Sequence, residues 1–162
     1  MGIRNIREMG DDILRKQAKP VREMTFRNRQ LIKDMEDTMY EANGVGLAAP
    51  QVGVLKRIFV VDCSDQEERQ PMVFINPEIL EMDGEVTDNE GCLSVPGKHA
   101  QVTRPEKIRV RALNEEMEPF ELEAEGLLAR CICHENDHLN GILYVDKAVG
   151  PVELNSKENG WA

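Results

Sequence analysis

The stretch Leu127-Leu128-Ala129-Arg130-Cys131-Ile132-Cys133-His134-Glu135-Asn136-Asp137-His138-Leu139-Asn140-Gly141 has no glycine or proline before its last residue. Leu127, Leu128, Cys131, Ile132, His138 and Leu139 recur at helical spacing, which predicts a helix from Leu127 to Leu139. Asn140-Gly141 then supplies a stop, because glycine is favoured just past a helix end. Residues four apart on a helix lie about 5–6 Å from each other, so His134 and His138 can bind one metal ion. Glu135 is rotated by about 100° from His134, flanks that position, and is placed to act on a water as a general base. An ordinary core helix would not bury two histidines and a glutamate side by side, since each needs a polar partner. A solvated helix with a chance histidine pair accounts for the histidines but not for the glutamate or the apolar-to-capped pattern. Asp137 reads as the partner of an arginine, as a structural pair or in support of a ligand histidine.

The 162 residues make one domain the economical reading, and the chain is long enough to bury a core. Aromatic residues are only 4% of the chain, so that core must be aliphatic and methionine-rich. A net charge of -10 and the lack of any long basic run argue against direct nucleic-acid binding. The N-terminus lacks the apolar run of a signal peptide, and Ile6 stands where a myristoylation motif wants Ser or Thr. No run of about 18 apolar residues is present. The expectation is therefore a cytoplasmic, monomeric protein with no membrane partner. Cys131 and Cys133 sit about 200° apart around one helix and cannot pair with each other. In that compartment the four cysteines read as thiols or ligands.

Towards the N-terminus, Gly10 to Arg15 reads as the start of a short helix, in a run that ends by Pro20. Thr25 is placed to cap a long helix whose apolar stripe is Leu31, Ile32, Met35, Met39 and Ala42, terminated by Asn43-Gly44. Buried strands are expected over Arg57 to Asp62, Met72 to Pro77 and Ile79 to Thr87. Lys107 to Leu113 and Phe120 to Glu125 form an alternating pair joined by the polar loop Asn114 to Pro119. The fold class is α+β, with mainly antiparallel sheets packed around a central, metal-binding C-terminal helix and with a long N-terminal helix. Residues 1–146 form a single catalytic domain. Residues 147–162 form a polar, loose tail with at most a short extended piece.

A catalytic site of zinc type usually has three protein ligands and an open position for water. Cys131 shares a helical face with His134, but it is about 10 Å along the axis from His138, too far for one ion. Cys133 points away. Cys63, Cys92, His99 and many carboxylates remain, and Cys92 is best placed by local chemistry because Gly91 lets the backbone approach closely.

Three blocks, Gly44-Val45-Gly46-Leu47-Ala48-Ala49-Pro50-Gln51, Glu90-Gly91-Cys92-Leu93-Ser94 and His134-Glu135-Asn136-Asp137-His138-Leu139, resemble the signature motifs of bacterial peptide deformylases in the same order. The similarity runs from about Ile3 to Asp146. It implies that Cys92, His134 and His138 hold the metal, and that the Gln51 amide and the Leu93 backbone N–H bind the developing oxyanion while Glu135 moves the proton. It also implies the substrate: the N-formyl group of formyl-methionine on new polypeptides, released as formate. Gly44 and Gly46 then permit close approach of an extended peptide, and Val45, Leu128 and Cys131 are candidates for the methionine pocket. The first block also fits a dinucleotide fingerprint, but it follows a helix and runs into Pro50, where that motif must follow a strand and open a helix.

Zn²⁺ outranks Fe²⁺ in intrinsic affinity for such a donor set, yet the resemblance implies one Fe²⁺ per chain, with Ni²⁺, Co²⁺ or Zn²⁺ able to substitute. Two departures from the family are Cys133, where many members carry Gln, and Asn43, where an acidic residue is frequent and whose loss weakens a polar contact to Arg104. The tail shows no C-terminal helix, which leaves docking to the ribosome open. A zinc metalloprotease is the main rival, because the helix motif alone fits both.

Overall fold

The computed structural model describes residues 2–64 and 68–155. Helix α1 spans Phe26–Glu41; Thr25 caps it by accepting the Asn28 N–H at 3.0 Å. Its end is a Schellman turn: Asn43 takes a left-handed φ of 58°, and the Asn43 and Gly44 N–H groups donate to Tyr40 and Met39 carbonyls. The apolar stripe Leu31, Ile32, Met35 and Met39 is buried against Leu47, Val52, Ile58, Val60 and Ile75.

Five strands form one antiparallel sheet in the order β1-β2-β3-β6-β7: Gly46–Ala48, Ile58–Val61, Met72–Asp83, Lys107–Leu113 and Pro119–Glu125. A second sheet is β4-β5-β8, made of Val86–Cys92, Val95–Arg104 and Glu153–Leu154. Helix α2, Gly126–Leu139, starts directly from β7 and packs against β1, β2 and β7. Phe59 and Phe74 stack at 4.8 Å in the core that receives Ala129, Ile132 and Leu139. The molecule is thus α+β with antiparallel sheets. Short 3₁₀ turns at Asp12–Arg15, Ala49–Val52 and Tyr144–Lys147 complete the architecture.

Several boundaries differ from the sequence reading. Met72 to Pro77 and Ile79 to Thr87 are not two strands: β3 runs on to Asp83, and Val86 already belongs to β4. The apparent break at Asn76-Pro77 is a bulge, with the register shifting between Ile75 and Glu78 and Asn76 at a φ of 51°. Strand β5 was not expected, because its inward face ends in a charged residue, Arg104, and so breaks apolar alternation. Gly46–Ala48, within the first motif block, is a short strand. In the tail, β8 pairs Lys98 with Leu154 and His99 with Glu153. The tail reading beyond residue 155 lies outside the described residues.

The bulge is held from both sides: Asn76 Oδ1 accepts the Val21 N–H and Asn76 Nδ2 donates to the Val21 carbonyl, each at 2.8 Å. Replacing Asn76 with Ala removes both bonds and leaves a β-carbon in the left-handed region. Urea denaturation is expected to show a loss of about 2–4 kcal/mol, and a loss below about 0.5 kcal/mol would show that these bonds do not hold the bulge.

Candidate metal centre and active site

One turn of α2 separates His134 from His138, and their rings meet edge to face with centroids 5.0 Å apart. Cys92 ends β4 where the chain turns through Leu93-Ser94 into β5. Its sulfur accepts the Ser94 N–H at 3.4 Å and lies 3.3 Å from His138 Nε2. The ligand-type atoms of Cys92, His134 and His138 all lie within 4.8 Å of one another, and all three residues are buried.

The atoms around this cluster fit a divalent cation. His134 Nδ1 is engaged by Glu90 Oε1 at 2.8 Å, while His134 Nε2 is buried with no hydrogen-bond partner. A thiolate and two imidazoles are a donor set suited to a borderline-soft metal. Burial opposes charge on both rings. On His134, the nearby Cys92 sulfur and the hydrogen-bonded Glu90 carboxylate outweigh it and hold the pKa well above the usual histidine value; on His138 burial wins and the pKa falls well below it. Binding a cation at His134 therefore displaces a proton.

Glu90 is fully buried. Arg104 donates Nε and Nη2 to its two oxygens at 2.8 and 2.9 Å, and Arg130 Nη1 donates to Oε2. Arg104 Nη1 also reaches Asp137 Oδ2 at 2.6 Å, so Asp137 is an arginine partner as its sequence context suggested. Arg104 bonds Glu90 and Asp137, while Asn43, where an acidic residue is frequent in the family, lines a cavity with Tyr40. Burial alone would push the Glu90 carboxyl up. The bonds from Arg104 and His134 overcome that and hold it well below the usual carboxylate range.

Gln51 comes from the 3₁₀ turn after β1. Its Oε1 accepts the Ala48 N–H at 3.0 Å, and its Nε2 donates to Ser94 Oγ at 3.0 Å while lying 3.6 Å from the Cys92 sulfur. Glu135 is buried, with Oε2 4.0 Å from His134 Nε2 and Oε1 unpartnered. Burial pushes its pKa up to about 7. A β-carbon on Gly46 would stand 2.5 Å from Glu135 Oε2, which explains a glycine there. Leu93 sits half-buried between Cys92 and Ser94.

Gly44 and Val45 line a cavity of about 290 Å³ with Tyr40, Asp62, Cys63 and Leu127. Leu128 and Cys131 instead pack in the core behind it, with Cys131 only 2% exposed. A larger cavity of about 410 Å³, bounded by Glu81, Asp83, Lys107 and Arg109, contains none of these groups. Glu90, Arg130 and Ser94 were not singled out from the sequence, because their partners lie up to 44 residues away along the chain.

Residues 3–153 match the family model of polypeptide deformylase. The chain belongs to the polypeptide deformylase family. It is 59% identical over 152 residues to the peptide deformylase of Lachnoclostridium phytofermentans, covering 94% of this chain and 93% of that one. With the peptide deformylase of Clostridium botulinum it shares 58% identity over 147 residues, 91% and 97% of the two chains. The solved peptide deformylase from Thermotoga maritima superposes with a TM-score of 0.88 at 43% identity, covering 93% of this chain and all of that one. The Synechococcus elongatus structure, solved in complex with actinonin, gives 0.87 at 44% identity, covering 93% and 81%. Peptide deformylases are metalloenzymes, and Cys92, His134 and His138 form a Cys/His/His group that could hold a metal ion here.

Replacing Glu90 with Gln tests the network beneath the metal. Two buried guanidiniums lose a charge partner and His134 loses its anchor, so stability at neutral pH is expected to fall by about 3–5 kcal/mol and metal affinity by about 10–100-fold in competition with a chromophoric chelator. Because the Glu90 pKa is depressed by folding, its stabilisation is complete above the ordinary glutamate pKa of about 4.3 and is lost as pH falls further. The stability gap between native protein and variant, measured by denaturant titration without metal, should shrink on acidification below that value. A gap that widened instead would sink the assignment.

Proposed function

We propose that this chain, in a family that removes N-formyl groups from new polypeptides, hydrolyses the formamide of N-terminal formyl-methionine with Cys92, His134 and His138 as metal ligands and Glu135 as general base. One observation carries the reading: the buried carboxylate of Glu135 stands 4.0 Å from the free Nε2 of His134, inside the only Cys/His/His cluster among the described residues. When bound, a divalent ion supplies Lewis acidity that acidifies a water and polarises a carbonyl.

Glu135 takes the proton from the attacking water and returns it to the departing amine of methionine. Burial opposes the charge on its carboxylate and so favours its holding the transferred proton. Gln51 Nε2 and the Leu93 N–H are the donors assigned to the developing charge on the formyl oxygen. Gln51 is supported for this by its fixed orientation, with Oε1 tied to the Ala48 N–H. The peptide runs along Gly44, Val45 and Gly46, and its methionine side chain is directed toward Val45 and the wall that Leu128 and Cys131 back from the core.

In this reading residues 1–146 are the catalytic domain, organised around α2 as the central element with α1 as the long N-terminal helix, and 147–162 are a polar tail. The protein acts as a monomer in the cytoplasm; no helix among the described residues is long and apolar enough to cross a membrane. The cofactor is one Fe²⁺ per chain, replaceable by Ni²⁺, Co²⁺ or Zn²⁺.

Formyl-Met peptides should yield formate with no cleavage of internal peptide bonds, read by coupled formate assay and mass spectrometry. Internal cleavage would favour a metalloprotease instead. Metal analysis of protein prepared without oxygen is expected to give iron at about one per chain, and stoichiometric zinc in fully active protein would reject iron. Replacing Glu135 with Ala should leave metal content intact and lower kcat by at least about 10²–10⁴; retained turnover would remove Glu135 from the mechanism.

A further inference from the structure

Two thiols that the hydrolytic chemistry does not use meet beside the site. Cys63 follows β2 and lines the cavity bounded by Gly44, Val45 and Leu127. Cys131 lies on α2, one turn before Glu135. Both are free cysteines, and their sulfur atoms are 3.5 Å apart. A disulfide needs about 2.0 Å, so closure requires about 1.5 Å of movement shared between two rotatable side chains.

The two environments divide the roles. Cys63 is half-buried at a cavity wall, whereas Cys131 is sealed in the core, so a small reagent meets Cys63 first. The hydrogen bond between the thiols holds Cys63 below the ordinary thiol range, and the same bond together with burial pushes Cys131 far above it. Access at the cavity wall thus makes Cys63 the thiol that attacks first and Cys131 the one that resolves it.

We propose that Cys63 and Cys131 form a peroxide-reactive dithiol site that closes to an intramolecular disulfide at the edge of the substrate cavity. The Cys63 thiolate attacks one oxygen of the peroxide and the O–O bond breaks. The other oxygen leaves as hydroxide and becomes water on gaining a proton from solvent, while the Cys63 sulfur, oxidised by two electrons, becomes a sulfenic acid. The Cys131 sulfur then attacks Cys63; the S–S bond forms, the S–O bond breaks, and the departing hydroxide takes the Cys131 proton as a second water. The new bond ties the end of β2 to the first turns of α2. Formation of the bond is independent of the assigned function. Its effect on turnover rests on the proposed reading of the cavity at Gly44 and Val45 as the peptide site.

The full-length protein loaded with Ni²⁺, so that ferrous oxidation does not contribute, is treated with hydrogen peroxide, alkylated and mapped by mass spectrometry. The expected result is a linked pair of peptides carrying Cys63 and Cys131, released by dithiothreitol and not formed in the Cys63→Ala protein. In the linked form KM for a formyl-Met peptide should rise at least about tenfold, the scale on which an altered apolar contact changes selectivity, and reduction should restore it. Alkylated Cys63 and Cys131 alongside an oxidised Cys92, or Cys63 carried on to sulfinic acid without linkage, would overturn the proposal. Linkage with unchanged KM would overturn its placement at the substrate cavity. Absence of formate release from the reduced protein would refute the hydrolytic reading and leave the mapped disulfide standing.

Discussion

The buried carboxylate of Glu90 governs the geometry of the whole site. It has no access to water, and a charge removed from water survives only when its oxygens are fully hydrogen-bonded. Two donors come from Arg104 on β5 and two more from Arg130 and His134 on α2. The carboxylate thus pins the smaller sheet to the helix at one point. Cys92, two residues further along β4, is carried to the histidines by that attachment. The distance between the thiol and the imidazoles is set by an ion-pair network, and the Cys92, His134 and His138 cluster inherits its rigidity.

The opposite wall of the site is built differently. The Schellman turn after α1 delivers the chain into β1, and the pairing of Gly46 with Val61 fixes that strand on the larger sheet. There the missing side chain of Gly46 leaves room for the Glu135 carboxylate, and the following 3₁₀ turn aims Gln51 at Cys92 and Ser94. Three segments spread over about ninety residues of chain therefore converge: the β1 turn, the end of β4 and the middle of α2. Apolar packing alone would tolerate small slips between them. The fully satisfied polar contacts at Glu90 and Gln51 do not, because each slip would strand a buried donor or acceptor.

Elements with strong local periodicity were legible in the sequence. The caps at Thr25 and Asn140-Gly141, the stripe of α1 and the alternation of β6 and β7 each follow from neighbours a few residues apart. The misread elements share one property: their pattern is completed by distant partners. Asn76-Pro77 looked like a strand end because its bulge is stabilised by Val21, and β5 was invisible because Arg104 occupies an inward position that only Glu90 and Asp137 make tolerable. Cys131 was placed on the face of His134 by helical spacing, but spacing could not tell that it is shut in the core against Cys63.

By itself the sequence determined the kinds of groups and their local placement: a helix with two histidines and a glutamate, a cysteine beside a glycine, a glutamine after a proline. It determined these because side-chain period, caps and turn chemistry act over one or two turns of chain. Only the tertiary structure decided that Glu90 anchors His134, that Ser94 holds Gln51, and that Cys63 faces Cys131. Those contacts join residues up to 68 positions apart, and what selects them is the need to pair every polar group that folding removes from water.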